Sequence, residues 1–233
     1  MARKEDLKRN TKHKKRRDIT PFIIIGVVVV IIVGVIILST YQPVGEINDP
    51  DLTKAAITDG LTMGDPNAPI KVVEFADFQC PGCGYYWQSI EPTIIANYVD
   101  TGLVYFTYSP FSFLGAYGTD PDWDESIKAS EAAYCANEQG KFWEYRAYLY
   151  GNQDGENQGA FVRKRLIAFA DKLNLNSSAF TECLDSDKYY QTVMDANDYA
   201  QNSGLTYTPS FLVGDQIVGA NDLEATLYAL VNQ

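Results

Sequence analysis

The chain has 233 residues, 46% of them hydrophobic and 21% charged, with a net charge of −11. That balance excludes an intrinsically disordered chain, and the charge distribution excludes an ordinary nucleic-acid binder. Residues 1–18 hold nine Lys or Arg against Glu5, Asp6 and Asp18, which leaves −17 on residues 19–233.

From Phe22 to Leu38 every residue is apolar or glycine, and the uncharged stretch runs from Ile19 to Gly45. A helix of about 20 residues crosses roughly 30 Å of hydrocarbon, so residues 19–40 are predicted to be one transmembrane helix. Residues 1–18 are then its basic cytoplasmic tail. No convincing small-x-small cleavage site follows the apolar run, so the anchor is read as retained and the remaining chain as extracytoplasmic, single-pass on the cell membrane. Residues 41–57, with Pro43, Gly45 and Asn48-Asp49-Pro50, read as a linker. Residues 58–233 suffice for one domain with a full core.

Within that domain Ile70 to Ala76 is a mostly apolar, β-branched strand. It ends in Cys80-Pro81-Gly82-Cys83, from which a helix is predicted to run to about Val99 with a bend at Pro92. Pro81 falls at the first helical position, where its missing N–H costs little. Leu103 to Tyr108 alternates as a second strand, parallel to the first if the helix between them is a right-handed crossover. A helical insert over about 122–204 follows, with predicted helices at Ser126–Glu138, Lys141–Tyr150, around Val162–Leu173, Ala179–Leu184 and Lys188–Asn202. Ser210–Val213 and Gln216–Val218 return to strand, and Asn221–Val231 closes as a helix.

The first cysteine of a C-x-x-C pair at a helix start lies where unpaired N–H groups and the positive dipole end stabilise a thiolate. Cys80 is therefore the candidate nucleophile, and Cys83, one turn deeper, the shielded resolving thiol. Two plainer readings stand beside it. One is an inert disulfide staple. The other is half a zinc site completed by Cys135 and Cys183, since the single histidine, His13, lies on the basic tail. Glu74 interrupts an otherwise apolar strand and needs a role or a partner there, unless it turns outward or meets a lysine. Asp77 is read as a loop residue that affects the local potential. Tyr85, Tyr86, Trp87, Phe111 and Phe113 are read as core or as an apolar surface beside the pair.

The order of elements, with Phe75-x-Asp77-Phe78-x-Cys80-Pro81-x-Cys83, then Glu138-Gln139-Gly140-Lys141-Phe142-Trp143, then Thr208-Pro209-Ser210-Phe211, resembles the DsbA-like thiol:disulfide oxidoreductases of the thioredoxin superfamily. The resemblance covers about residues 60–233. It implies an α/β thioredoxin fold with an inserted helical subdomain, exchange at Cys80 and Cys83, and an acid at Glu74 that trades a proton with Cys83. It also implies a cis Thr208–Pro209 loop that binds an extended substrate. Pro81 and Gly82 form the active-site loop. Gly82 departs from the strongly oxidising members, which carry histidine there, and this implies a milder potential.

If the C-x-x-C pair closes on itself, Cys135 and Cys183 remain to form a structural disulfide in an oxidising compartment, or else stay as two separate thiols. The implied partners are cysteine-containing polypeptides and a DsbB-like or vitamin K epoxide reductase-like membrane protein, with no nucleic acid, metal or organic cofactor. The expected activity is disulfide donation. A reductase or isomerase of the same fold, or an anchored polypeptide-binding module without catalysis, are its rivals.

Overall fold

A computed structural model describes residues 20–40, 44–118 and 123–232. The chain divides into two units, Met1–Pro43 and Val44–Gln233. Among its described residues the first contains one helix, α1 (Thr20–Thr40), whose described side chains run from 24 to 35. Among the described residues no helix is long and apolar enough to cross a membrane. The basic tail with His13 and the first linker residues, 41–43, lie outside the description.

The second unit is built on a sheet in the order β1-β2-β4-β3-β5-β6. Its centre is β3 (Ile70–Ala76), parallel to β4 (Val104–Pro110) in the register Ile70↔Val104 to Ala76↔Pro110. On its other side β3 pairs antiparallel with β5 (Ser210–Val213), which pairs with β6 (Gln216–Gly219). β1 (Thr58–Asp59) and β2 (Thr62–Met63) form an edge hairpin on β4. Two-residue strands carry no alternation to read, so this hairpin was not predicted. Gly64 ends it at φ +91°, with the Val104 carbonyl oxygen 2.5 Å from where a Cβ would stand, so only glycine fits.

The crossover between β3 and β4 is a broken helix. α2 (Pro81–Ser89) stops at Ile90 and α3 (Glu91–Ile94) restarts with Pro92 in its first turn, continuing as a π turn over Ile95–Val99. The predicted bend therefore falls two residues before Pro92, because that proline can donate no N–H back into α2. Five helices follow β4: α4 (Glu125–Asn137), α5 (Phe142–Gly151), α6 (Arg163–Lys172), α7 (Ser177–Asp185) and α8 (Tyr190–Asn202). α9 (Ala220–Val231) closes the chain. Sheet and insert share one apolar core, from Val72, Phe106 and Phe211 through Tyr145 to Phe169 and Phe180.

The segment 44–57 differs from a free linker, because it is strapped to the insert. Arg165 donates to the carbonyls of Val44 and Glu46 at 3.2 and 3.0 Å. Asn48 and Asn152 exchange two bonds at 2.8 and 3.0 Å, Tyr148 donates to Asp49 at 2.9 Å, and Ala55 is buried. Turn-rich composition signals only that the chain is irregular, not that it is unattached.

Cys135 of α4 and Cys183 of α7 are joined as a disulfide across 48 residues, which removes them from any zinc site with the first pair. Closing a loop of that length stabilises by about 4 kcal/mol in the chain-entropy model. The Cys135→Ala/Cys183→Ala variant is accordingly expected to unfold at lower denaturant by about that amount, measured with the Cys80–Cys83 pair held reduced in both proteins.

Candidate active site

The strand β3 delivers its C-terminal residues to the point where α2 begins. Cys80 is the residue before the first helical turn (φ −69°, ψ 118°), and its carbonyl accepts from the N–H groups of Cys83 and Gly84, both at 3.1 Å. Cys80 Sγ donates to the Thr208 carbonyl at 3.4 Å, and the Thr208–Pro209 peptide is cis. A Cβ on Gly82 would meet Pro209 Cδ at 3.4 Å and Cys80 Sγ at 3.6 Å. The residue between the cysteines therefore faces both the sulfur and the proline loop.

The two thiols differ sharply in acidity. Hydrogen bonding from Cys83 outweighs burial and, with help from Thr208 and the N–H groups of Gly82 and Cys83, lowers Cys80 to about 6. Burial pushes the Cys83 thiol well above the ordinary range, and the sulfur of Cys80 and the charge of Glu74 add to that rise. Cys80 keeps 8% of its surface, Cys83 none. One sulfur is a thiolate near neutrality and the other a fully covered thiol.

Glu74 is fully buried, and its Oε2 accepts from Arg146 Nη2 at 2.8 Å. The same guanidinium holds Glu91 through two bonds, 2.8 and 2.7 Å. Burial, reinforced by Glu91 and opposed by Arg146, raises Glu74 to about 8. Burial also works against the Arg146 charge, but the two carboxyls more than offset it and hold its proton well above the usual range. Sequence reasoning missed Arg146 and Glu91. A signal was present: Arg146 sits in Phe142-Trp143-Glu144-Tyr145-Arg146-Ala147-Tyr148-Leu149-Tyr150, a helix too apolar to leave an arginine in water, just as β3 was too apolar for Glu74.

Asp77 is no loop ornament. Its carboxylate is buried and accepts from Gln79 N–H (2.8 Å), Phe113 N–H (2.9 Å), Leu114 N–H (3.0 Å) and Ser126 Oγ (2.7 Å). Burial raises its pKa while those four donors oppose the shift. The knot ties the end of β3 to the end of β4 and to α4. Gln153, after α5, adds a second tie by donating to the carbonyls of Phe78 (2.6 Å) and Cys80 (3.0 Å).

The five aromatic candidates divide. Tyr86 and Phe111 are core, Trp87 and Phe113 half-buried, and Phe113 packs with Phe75 and Phe111 in a separate small cluster. Tyr85 is 60% exposed. It stands between two cavities of about 370 Å³ each, one lined by Gly82, Tyr207, Thr208, Pro209 and Asp222, the other by Pro81, Trp87, Gln88, Tyr150 and Gln153. Cys80 lines neither, but its neighbours Gly82 and Pro81 line one each. Among the described residues no group of side chains is arranged to hold a metal ion.

A family model described as Thioredoxin matches residues 57–233. Among curated proteins the chain is 27% identical over 197 residues to the probable disulfide bond formation protein D of Bacillus anthracis, covering 84% of this chain and 87% of that one. Among solved structures it is similar in fold to BdbD from Bacillus subtilis (TM-score 0.65, 23% identity, 80% of this chain and 100% of that one). It is also similar in fold to DsbA of Chlamydia trachomatis (TM-score 0.63, 22% identity, 82% and 98%).

Proposed function

The chain belongs to the thioredoxin family as a DsbA-like thiol:disulfide oxidoreductase, and on that premise we propose that it donates a Cys80–Cys83 disulfide to reduced polypeptides outside the cytoplasm. The observation that carries this reading is the asymmetry of the pair. A thiol lowered to about 6 faces the cis Thr208–Pro209 loop, while its partner is fully buried and raised. Stabilising the Cys80 thiolate stabilises the dithiol form, so the disulfide is the more readily given away.

Substrate lies in the cavity beside Tyr85, with its backbone against Thr208 and Pro209. Its thiolate attacks Cys80, Cys83 leaves, and Glu74 supplies the proton that the buried leaving sulfur needs. Pro81 and Gly82 shape the turn. Electrons pass between sulfurs, so the reaction calls for no metal or organic cofactor. Re-oxidation falls to a membrane partner of the DsbB-like or vitamin K epoxide reductase-like kind. The tether in this reading is the uncharged apolar run from Phe22 to Leu38, on its composition alone.

Gly82 favours a second reading, a reductase or isomerase of the same fold, because no imidazolium stands beside the Cys80 sulfur. The reduction potential, measured against a glutathione buffer, decides. A value well above that of thioredoxin, about −270 mV, together with oxidation of a reduced peptide, supports the donor. A value at or below it, with no peptide oxidation, supports the reductase.

A further inference from the structure

Arg146 is 1% exposed and offers its guanidinium to two carboxyls unequally. Both Nη1 and Nη2 donate to Glu91, at 2.8 and 2.7 Å, while Glu74 receives a single bond, at 2.8 Å, from the second N–H of Nη2. The rings of Tyr108, Trp143 and Tyr150 stand 5.2, 5.2 and 5.0 Å from the guanidinium carbon. Glu74 Oε1 has no hydrogen-bond partner, nor does Arg146 Nε.

One positive charge shared by two ionised carboxyls in a site this dry would leave an uncompensated negative charge, which costs several kcal/mol. One carboxyl must therefore carry a proton. The charge belongs on the partner with the bidentate bond, which is Glu91. The proton belongs on the partner with a bare oxygen, which is Glu74. The remaining titratable groups that face Glu74 are Cys83 and Tyr86 of α2, Tyr108 of β4 and Tyr150 of α5, so no second cation competes.

We infer that Glu91 is a positioning residue: by occupying Arg146 it keeps the proton of the buried trio on Glu74, loaded for transfer to Cys83. This rests on the reading of Cys80 and Cys83 as the exchanging pair. When a substrate thiolate attacks Cys80 Sγ, the bond from Cys80 to substrate forms, the Cys80–Cys83 bond breaks, and its electron pair leaves on Cys83. The Glu74 proton moves to that sulfur and leaves a carboxylate against Arg146. A second substrate thiolate then displaces Cys80 as a thiolate. The substrate is oxidised by two electrons and the pair reduced by two.

The test is isotope-edited infrared spectroscopy of the full chain in its Cys80–Cys83 disulfide form, with its glutamate carboxyls labelled, titrated between pH 5 and 9. A protonated-carboxyl band is expected at pH 7 that fades with a midpoint near 8 and is missing in Glu74→Gln. In Glu91→Gln, where Arg146 is left to Glu74 alone, the midpoint should fall by more than about one pH unit, and peptide oxidation at pH 7 should slow by about tenfold.

Three outcomes overturn the inference: no band titrating between pH 7 and 9 in the wild type, a band that survives Glu74→Gln but vanishes in Glu91→Gln, or an unmoved midpoint in Glu91→Gln. The first needs only the wild type and the second both single variants. A midpoint that falls while peptide oxidation is unchanged supports the positioning by Glu91 and removes Glu74 from the proposed transfer.

Discussion

The Cys80→Ser variant will transfer no disulfide, and disulfide-coupled refolding of a reduced substrate will proceed at its uncatalysed rate. Serine keeps the turn, the N-terminal position on α2 and the contact with Thr208, but supplies no sulfur to form the mixed disulfide. With a thiol at about 6, roughly nine-tenths of Cys80 is ionised at pH 7, against a few per cent for a free cysteine. Alkylation of the reduced wild type should therefore climb through pH 6 and level off above it, with Cys83 unmodified until the fold opens.

The sign of the linked stability follows. Cys80 has a folded pKa below its unfolded one, so the stabilisation of the dithiol form is full above the ordinary thiol range and is lost as pH falls through about 6. Cys83→Ala gives the complementary result, a substrate trapped on Cys80. A pure binding module would be indifferent to Cys80→Ser, and alkylation at Cys80 with a midpoint near 9 would remove the basis of the exchange chemistry.

Replacing Arg146 with methionine is expected to be the most damaging single change to stability. It leaves two carboxyls, Glu74 and Glu91, buried against each other with no cation. Breaking one side of a buried ion pair costs about 3–5 kcal/mol, which for a domain of this size lowers Tm by about 10 °C.

The pH dependence identifies the cause. Burial already raises Glu74 to about 8 against the opposing pull of Arg146, so without the guanidinium it rises further, and its stabilising contribution, present at low pH, is lost as pH rises through that raised value. The deficit against wild type should be smaller at low pH than above pH 8. Neutralising the trio in Glu74→Gln/Arg146→Met/Glu91→Gln should recover most of the loss, because isosteric neutral groups need no counter-ion. A deficit that is flat with pH would instead assign the damage to lost packing against Tyr108, Trp143 and Tyr150.

The two experiments probe different layers of one site. Cys80 depends on what the start of α2 and the Thr208–Pro209 loop present to it. Glu74, beneath, depends on a guanidinium from the insert. The helical subdomain thus does more than cover the sheet: through Arg146 and Gln153 it reaches both the buried carboxyl and the carbonyl of Cys80.

Much of this was legible along the chain because it is local. A β-branched run ending in Cys80-Pro81-Gly82-Cys83 dictates strand, turn and helix start within one stretch, since proline at the first helical position and N–H groups free to meet a thiolate are properties of neighbouring residues. The apolar periodicities of the insert likewise placed its helices to within a few residues. Charge partnership is not local. Glu74 and Arg146 lie 72 residues apart and Glu91 and Arg146 lie 55 apart, and neither periodicity nor propensity encodes which buried charge meets which. The same holds for Asp77, whose four donors come from three elements, and for the strap over 44–57. The sequence by itself determined where a reactive sulfur stands. Only the packing of insert against sheet decided which groups surround it, because a buried charge takes its partner from whatever the folded chain brings within 3 Å.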